Sequence, residues 1–216
     1  MENIHIEAIA NAMVEERKLH QIMHYLRLRR IFEIIFILFL SPLILVICFI
    51  IALFLLIDRN GSLFFIQKRI GYQVRQFNFY KFRTLKFKKA NEALSNMYNC
   101  NGIGAVSKFL RIHRLDELPQ LLNVLKGDMS LIGPRPDPIE YFNDITKQFP
   151  DFRFRFILPP GLTGLAQVNY HHTETVEDAI GKYKYDMEYL EKISLRTDIN
   201  IVWKTFSTMI FGNGAK

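Results

Sequence analysis

The sequence predicts a membrane-associated α+β chain: an apolar helix-break-helix at Ser41-Pro42, then a mainly helical cytoplasmic domain with a small β-hairpin and C-terminal amphipathic helices. Three observations predict it. From Ile34 to Ile57 there are 24 positions without a charge, and at about 1.5 Å per residue they reach across a hydrocarbon core of roughly 30 Å. Two stretches rich in Phe, Tyr and Ile follow, bounded by turn residues, as strands of a hairpin would be. The C-terminal part repeats its apolar residues at intervals of three and four. A chain of 216 residues is long enough for one domain with its own core plus attachments, divided as a lead (1–30), a membrane segment (31–58) and a folded domain (59–216).

Residues 1–30 read as a polar, partly helical lead, with Met13, Leu19, Ile22, Met23 and Leu26 on roughly one face and no assignable chemistry. The apolar run that follows is a poor cleaved signal, being too long and followed by Asp58-Arg59 rather than small residues. Arg27, Arg29 and Arg30 precede it, and Arg59, Lys68, Arg69 and Arg75 follow, so the positive-inside preference pulls both ends to the cytoplasm. Pro42 removes a helix hydrogen bond and Ser41 can re-satisfy a freed backbone group, so a segment that enters and leaves one leaflet resolves the conflict. On hydropathy alone, a spanning helix with a tolerated proline stays equally open. Cys48 and Cys100 lie in unlike settings and show no zinc-ligand spacing, which fits a reducing, cytoplasm-facing location.

Beyond the membrane segment, Ser62 to Gln67 and Phe77 to Thr84 are expected to pair as strands. Ala90 to Gly104 is loop-like, and Val106 to Leu115 has helical spacing. A further helix is expected to start at Asp116 as N-cap, tolerate Pro119 in its first turn, bury Leu118, Leu121, Leu122 and Leu125, and stop at Gly127. Pro134, Pro136, Pro138 and Pro159-Pro160-Gly161 interrupt regular structure. Two amphipathic helices close the chain, one through Val176, Ile180, Tyr183, Met187 and Leu190, the other from Leu195 to Ile210 with Trp203 and Phe206. The second suits either a membrane surface or core packing.

Net charge is +7, and between Asn60 and Asn91 eight basic residues stand with no Asp or Glu. Aromatic residues interleave them. Next to a membrane segment, such a patch meets anionic lipid head groups before nucleic acid. Lys86, Lys88 and Lys89 read as a solvated face, whereas Lys81 and Arg83 project to one side of a strand and would suit a diphosphate. Arg135, gripped between Pro134 and Pro136, loses little backbone freedom when its guanidinium forks onto phosphate. Asp116 and Glu117 sit where unpaired N–H groups favour anions, although acidic residues at helix starts are usually only caps. Asp128 is a second acidic candidate in a helix-ending turn. His113, His171 and His172 have no catalytic spacing, and Asn101-Gly102-Ile103-Gly104 is a weak glycine pattern.

Four ordered motifs carry a resemblance: Gln67-Lys68-Arg69-Ile70-Gly71, Tyr80-Lys81-Phe82-Arg83-Thr84, Arg114 to Pro136, and Pro160 to Asn169. From about Arg30 to Phe211 the chain resembles the small, single-domain bacterial sugar transferases that are monotopic phosphoglycosyl transferases. The resemblance implies a re-entrant membrane helix with its Ser41-Pro42 break, and a catalytic domain on the cytoplasmic face of the bacterial inner membrane. It implies transfer of a sugar 1-phosphate from a UDP-sugar to undecaprenyl (polyprenol) phosphate, with release of UMP, as the first membrane step of exopolysaccharide or lipopolysaccharide synthesis. Asp116 would be the nucleophile that becomes a glycosyl-phosphoryl aspartate, with Mg²⁺ held by Glu117 and Asp116 and Asp128 a third candidate ligand. Lys81, Arg83 and Arg135 would bind phosphate, with Pro134, Pro136 and Gln167 supporting the substrate pocket. Membrane lipids and downstream glycosyltransferases are the implied partners, and nucleic acid is not. One departure is Leu165, where relatives commonly carry Trp, which weakens any carry-over of local sugar or acceptor contacts. The competing reading is a non-catalytic, membrane-tethered basic module that recruits anionic lipid or a partner, and it would not require Asp116, Glu117 or Arg135.

Overall fold

A computed structural model describes residues 2–58, 62–84, 104–170 and 175–211. Lys86, Lys88, Lys89, Cys100, Asn101 to Ile103, His171 and His172 lie outside them. The architecture is mostly helical with a small sheet, and it opens on a helix long and apolar enough to cross a membrane.

Helix α1 (Glu2–Asp58) is continuous over 57 residues, so the lead and the membrane segment form one element. It is not interrupted at Ser41-Pro42. Pro42 has no N–H for the Leu38 carbonyl, and the Ser41 hydroxyl donates to that carbonyl at 2.7 Å, so the helix passes the proline with the freed acceptor satisfied. Leu38, Phe39, Leu43, Leu45, Val46 and Phe49 are exposed around this point. On either side the helix docks: Ile37 packs with Phe79, Val124 and Met129, while Ile51 and Leu55 pack with Phe82 and Leu110.

Two of the basic residues ahead of the apolar run, Arg29 and Arg30, are tied into the fold. Arg29 donates to Tyr189, Asp198, Ser130 and the Ile132 carbonyl, and Glu33 accepts from the Ser130 hydroxyl and the Leu131 N–H. Arg30 reaches the Leu125 and Met129 carbonyls at 3.3 Å. These bonds hold α1 against the domain.

Strands β1 (Phe64–Ile70) and β2 (Gln76–Phe82) pair antiparallel as expected, from Phe64 opposite Phe82 to Ile70 opposite Gln76. Two further strands are β3 (Ser130–Ile132) and the two-residue β4 (Asp137–Pro138), the latter joining the far end of β1. Strand β5 (Gly161–Thr163) runs parallel to β3. Here the glycines are required by contact: a β-carbon on Gly133 would collide with the Pro159 carbonyl, and one on Gly161 with the Gly133 backbone.

Helix α2 (Ala105–Ile112) leads into a 3₁₀ helix (Leu115–Gln120) and then α3 (Leu121–Lys126), which ends as expected at Gly127, left-handed at φ 92°. The N-cap position of the 3₁₀ helix falls on Arg114 rather than Asp116. Starting with about 3.0 rather than 3.6 residues per turn rotates the buried side, so Asn123 and Val124 are fully covered while Leu122 is exposed. Helix α4 (Ile139–Gln148), a 3₁₀ stretch (Pro150–Ile157) and α5 (Leu165–Asn169) precede the two closing helices, α6 (Val176–Glu191) and α7 (Leu195–Phe211).

Candidate active site

The site is built where the hairpin, the Leu115–Gln120 helix and the turn after β3 meet. Because Arg69 lies opposite Phe77 and Lys81 opposite Phe65, Arg69 and Lys81 share one face of the hairpin. The Lys81 ammonium sits 5.0 Å from the Phe65 ring centre, and the Arg69 guanidinium 4.0 Å from that of Phe79. Arg69 also donates to the Pro136 carbonyl at 2.9 Å. This bond, with the Gly161 N–H on the Pro134 carbonyl at 2.8 Å, fixes the two prolines around Arg135.

Behind the turn, Arg155 is 1% exposed and joins Asp137 to Asp186, with 2.8 Å to the latter. Asp137 lies two residues from Arg135, so this buried bridge anchors the turn at its far end. Arg135 then donates to Glu117 at 2.8 Å.

The adjacent carboxylates therefore differ. Asp116 is 7% exposed and its carboxylate makes no hydrogen bond or ion pair among the described residues; burial, reinforced by the Glu117 charge, pushes it up to about 6 against the pull of Lys81, Arg111 and Arg135. For Glu117, burial acts upward too, but Arg135, with Arg114 and Lys81, holds it below the usual carboxylate range. Lys81 is lowered to about 8, chiefly by burial and next by Arg69, with Asp116 and Glu117 opposing. One carboxylate is clamped and the other is not.

Four predicted residues, Lys81, Asp116, Glu117 and Arg135, thus converge. Arg83 follows directly on β2 and its N–H closes onto the Leu63 carbonyl, but it is not among the charges acting most strongly on the pair. Gln167 donates to the Leu162 carbonyl at 3.3 Å beside Gly164, which itself abuts Gly133. Asp128 accepts from the Asn123 amide at 3.2 Å, and no group of three His, Cys, Asp or Glu residues forms a cluster among the described residues.

The sequence pattern of the bacterial sugar transferase family matches residues 24–212. The chain belongs to that family. Relatives of this sugar transferase-family chain include a UDP-N-acetylgalactosamine-undecaprenyl-phosphate N-acetylgalactosaminephosphotransferase of Aeromonas hydrophila, 36% identical over 76% of the chain and 39% of the relative. A UDP-glucose:undecaprenyl-phosphate glucose-1-phosphate transferase of Caulobacter vibrioides is 35% identical over 76% of the chain and 62% of its own length. The exopolysaccharide production protein ExoY of Rhizobium meliloti is 31% identical over 72% and 74%. The chain thus spans less than two thirds of the length of the first two.

Three arginines of this family member escaped the sequence reading: Arg69, Arg111 and Arg114 all act on the carboxylate pair or on Lys81. Arg69 was recoverable, because the hairpin register puts it on the Lys81 face. Arg111 and Arg114 were not, since their direction depends on the left-handed turn at Arg114, φ 54°.

Proposed function

We propose that this chain transfers a sugar 1-phosphate from a UDP-sugar to undecaprenyl phosphate, releasing UMP, through a covalent intermediate on Asp116. The observation that carries the reading is the asymmetry of the acidic pair: Glu117 is locked to Arg135, whereas the Asp116 carboxylate is desolvated and makes no hydrogen bond or ion pair with a described residue. Environments that push two carboxylates apart assign them different roles. An Asp116 oxygen attacks the sugar-bearing phosphorus, the bond to UMP breaks, and UMP leaves with the electron pair. A phosphate oxygen of the lipid acceptor then attacks the same phosphorus and restores the carboxylate. Lys81 and Arg135 stabilise the charge developing on phosphate oxygens.

Mg²⁺ fits this donor set, because it is commonly held by one or two carboxylates together with substrate phosphates, and Asp116 and Glu117 are adjacent. Glu117, with Asp116, would hold it, and it would neutralise phosphate charge. Asp128, occupied by the Asn123 amide, is the weaker candidate.

A re-entrant α1 is supported by its docking. Ile37 and Ile51, on either side of Pro42, both pack on the same polar domain, which one side of a bilayer can accommodate and a straight span cannot. Leu195, Ile199, Val202, Trp203 and Phe206 form an exposed apolar face on α7 suited to the same membrane surface. We place the domain on the cytoplasmic side of the inner membrane, where UDP-sugars are available.

The test is UMP release by the purified chain from a panel of UDP-sugars with Mg²⁺ and no acceptor. The two-step reading expects a burst of about one UMP per active site, with the sugar phosphate recovered on Asp116 by mass spectrometry. UMP release that demands acceptor, with Asp116 unmodified, would leave Asp116 as a base or metal ligand and end the covalent assignment.

A further inference from the structure

The segment between α2 and the Leu115–Gln120 helix turns on one residue. Arg114 is left-handed, φ 54° and ψ 22°, a conformation in which glycine or asparagine is at home and a long side chain is not. Its backbone is pinned on both sides: the Arg114 N–H donates to the Arg111 carbonyl at 3.2 Å, and the Glu117 N–H donates to the Arg114 carbonyl at 3.1 Å. An arginine kept in a strained turn at a reactive site calls for a role.

Its guanidinium is engaged differently from the other arginines buried in this fold. Arg29, Arg69, Arg135 and Arg155 each donate to a named acceptor. Arg114 is half-buried, and its guanidinium makes no hydrogen bond or ion pair with any described residue. The charges that act on it are those of the site itself, Glu117, Arg135 and Asp116. Glu117 is already taken by Arg135 at 2.8 Å, and Asp116 is the group that must reach phosphorus. Five N–H donors in a planar fork, partly stripped of water and aimed among these groups, match the oxygens of a phosphate.

Resting on the phosphoryl-transfer reading above, we propose that Arg114 is a phosphate ligand of this site, binding an oxyanion of the donor diphosphate or of the acceptor phosphate beside Asp116. The left-handed turn is then what brings its guanidinium round to the carboxylate pair.

The test uses the full chain in lipid nanodiscs, with Arg114→Gly and Arg114→Asn, both of which suit the left-handed backbone, and Arg114→Lys, which keeps the charge without the fork. UDP affinity is measured by calorimetry with Mg²⁺, and KM is measured for undecaprenyl phosphate. The Gly and Asn variants should melt no lower than wild type yet lose about tenfold to a hundredfold in one of the two, with Lys recovering part of it. Loss of UDP affinity alone assigns the donor diphosphate; a raised KM for undecaprenyl phosphate alone assigns the acceptor. If both quantities stay at wild-type values in the Gly and Asn variants, Arg114 only shapes the turn and the proposal is wrong. Failure of the wild-type chain to bind UDP or release UMP from any UDP-sugar would instead overturn the functional reading and this inference with it.

Discussion

Asp116 is held in a state that costs the fold stability. Its carboxyl is raised to about 6, so at pH 7 the fold carries a buried, largely uncompensated charge. Replacing it with asparagine removes that penalty, and we expect Asp116→Asn to abolish the UMP burst and the adduct while stabilising the fold at pH 7 by on the order of 2 kcal/mol. The sign follows from a folded value above the unfolded one: the penalty is full above about pH 6 and vanishes below about pH 4. Thermal melts of both proteins at pH 7 and pH 4 check this, and an Asn variant that melts lower at pH 7 would contradict it. The same values bound activity. On the proposed mechanism Asp116 must be ionised to attack, and Lys81, lowered to about 8, must stay charged to stabilise phosphate. A profile of kcat/KM against pH should therefore fall below about 6 and above about 8. Lys81→Arg, always protonated, should move only the alkaline limb upward; an alkaline limb that stays in place would exclude Lys81 as its origin.

Among the elements, α3 owes its position to one side chain. Strand β2 has an open edge, and Asn123 closes it: its carbonyl oxygen accepts the Tyr80 N–H at 3.2 Å, and its amide donates to the Asn78 carbonyl at 2.7 Å and to Asp128. The side chain thus stands in for a neighbouring strand, and it fixes α3, and with it the Asp116 helix, relative to Lys81. Asn123→Leu removes all three hydrogen bonds, including those to the half-buried Tyr80 and Asp128, and should destabilise the fold by about 2 kcal/mol, measurable as a lowered melting temperature. An unchanged melt would mean that water replaces the amide. The sequence reading of this stretch found the helix stop at Gly127 and the apolar spacing, because both are local. The 3₁₀ start and the role of Asn123 were not legible, since they arise from packing against a strand more than forty residues earlier in the chain.

On the scale of the whole molecule, the polar domain grips α1 on both sides of Ser41-Pro42, through Glu33 and Ile37 before it and Ile51 and Leu55 after it. Topology is then a matter of docking as well as flanking charge, because Arg29 and Arg30 are spent on Asp198, Ser130 and the end of α3. In a Cys-free variant, single cysteines at His20 and Ser62 should both resist a membrane-impermeant thiol reagent in intact cells and react after lysis. Labelling of one alone in intact cells would mean that α1 spans.

What the sequence by itself determined was whatever is written in local pattern: the apolar run, the hairpin, the closing helices, the stop at Gly127 and the run of basic residues. These follow from periodicity, turn chemistry and charge, which act over a few neighbours. Only the tertiary structure decided that α1 continues through Pro42, because Ser41 satisfies the Leu38 carbonyl within an otherwise intact helix. It also decided that Glu117 is clamped by Arg135 while Asp116 is not, and that Arg111 and Arg114 act on the pair. Those outcomes depend on which groups burial brings together across long separations, and on desolvation, which acts on a charge only once the surrounding chain has folded over it.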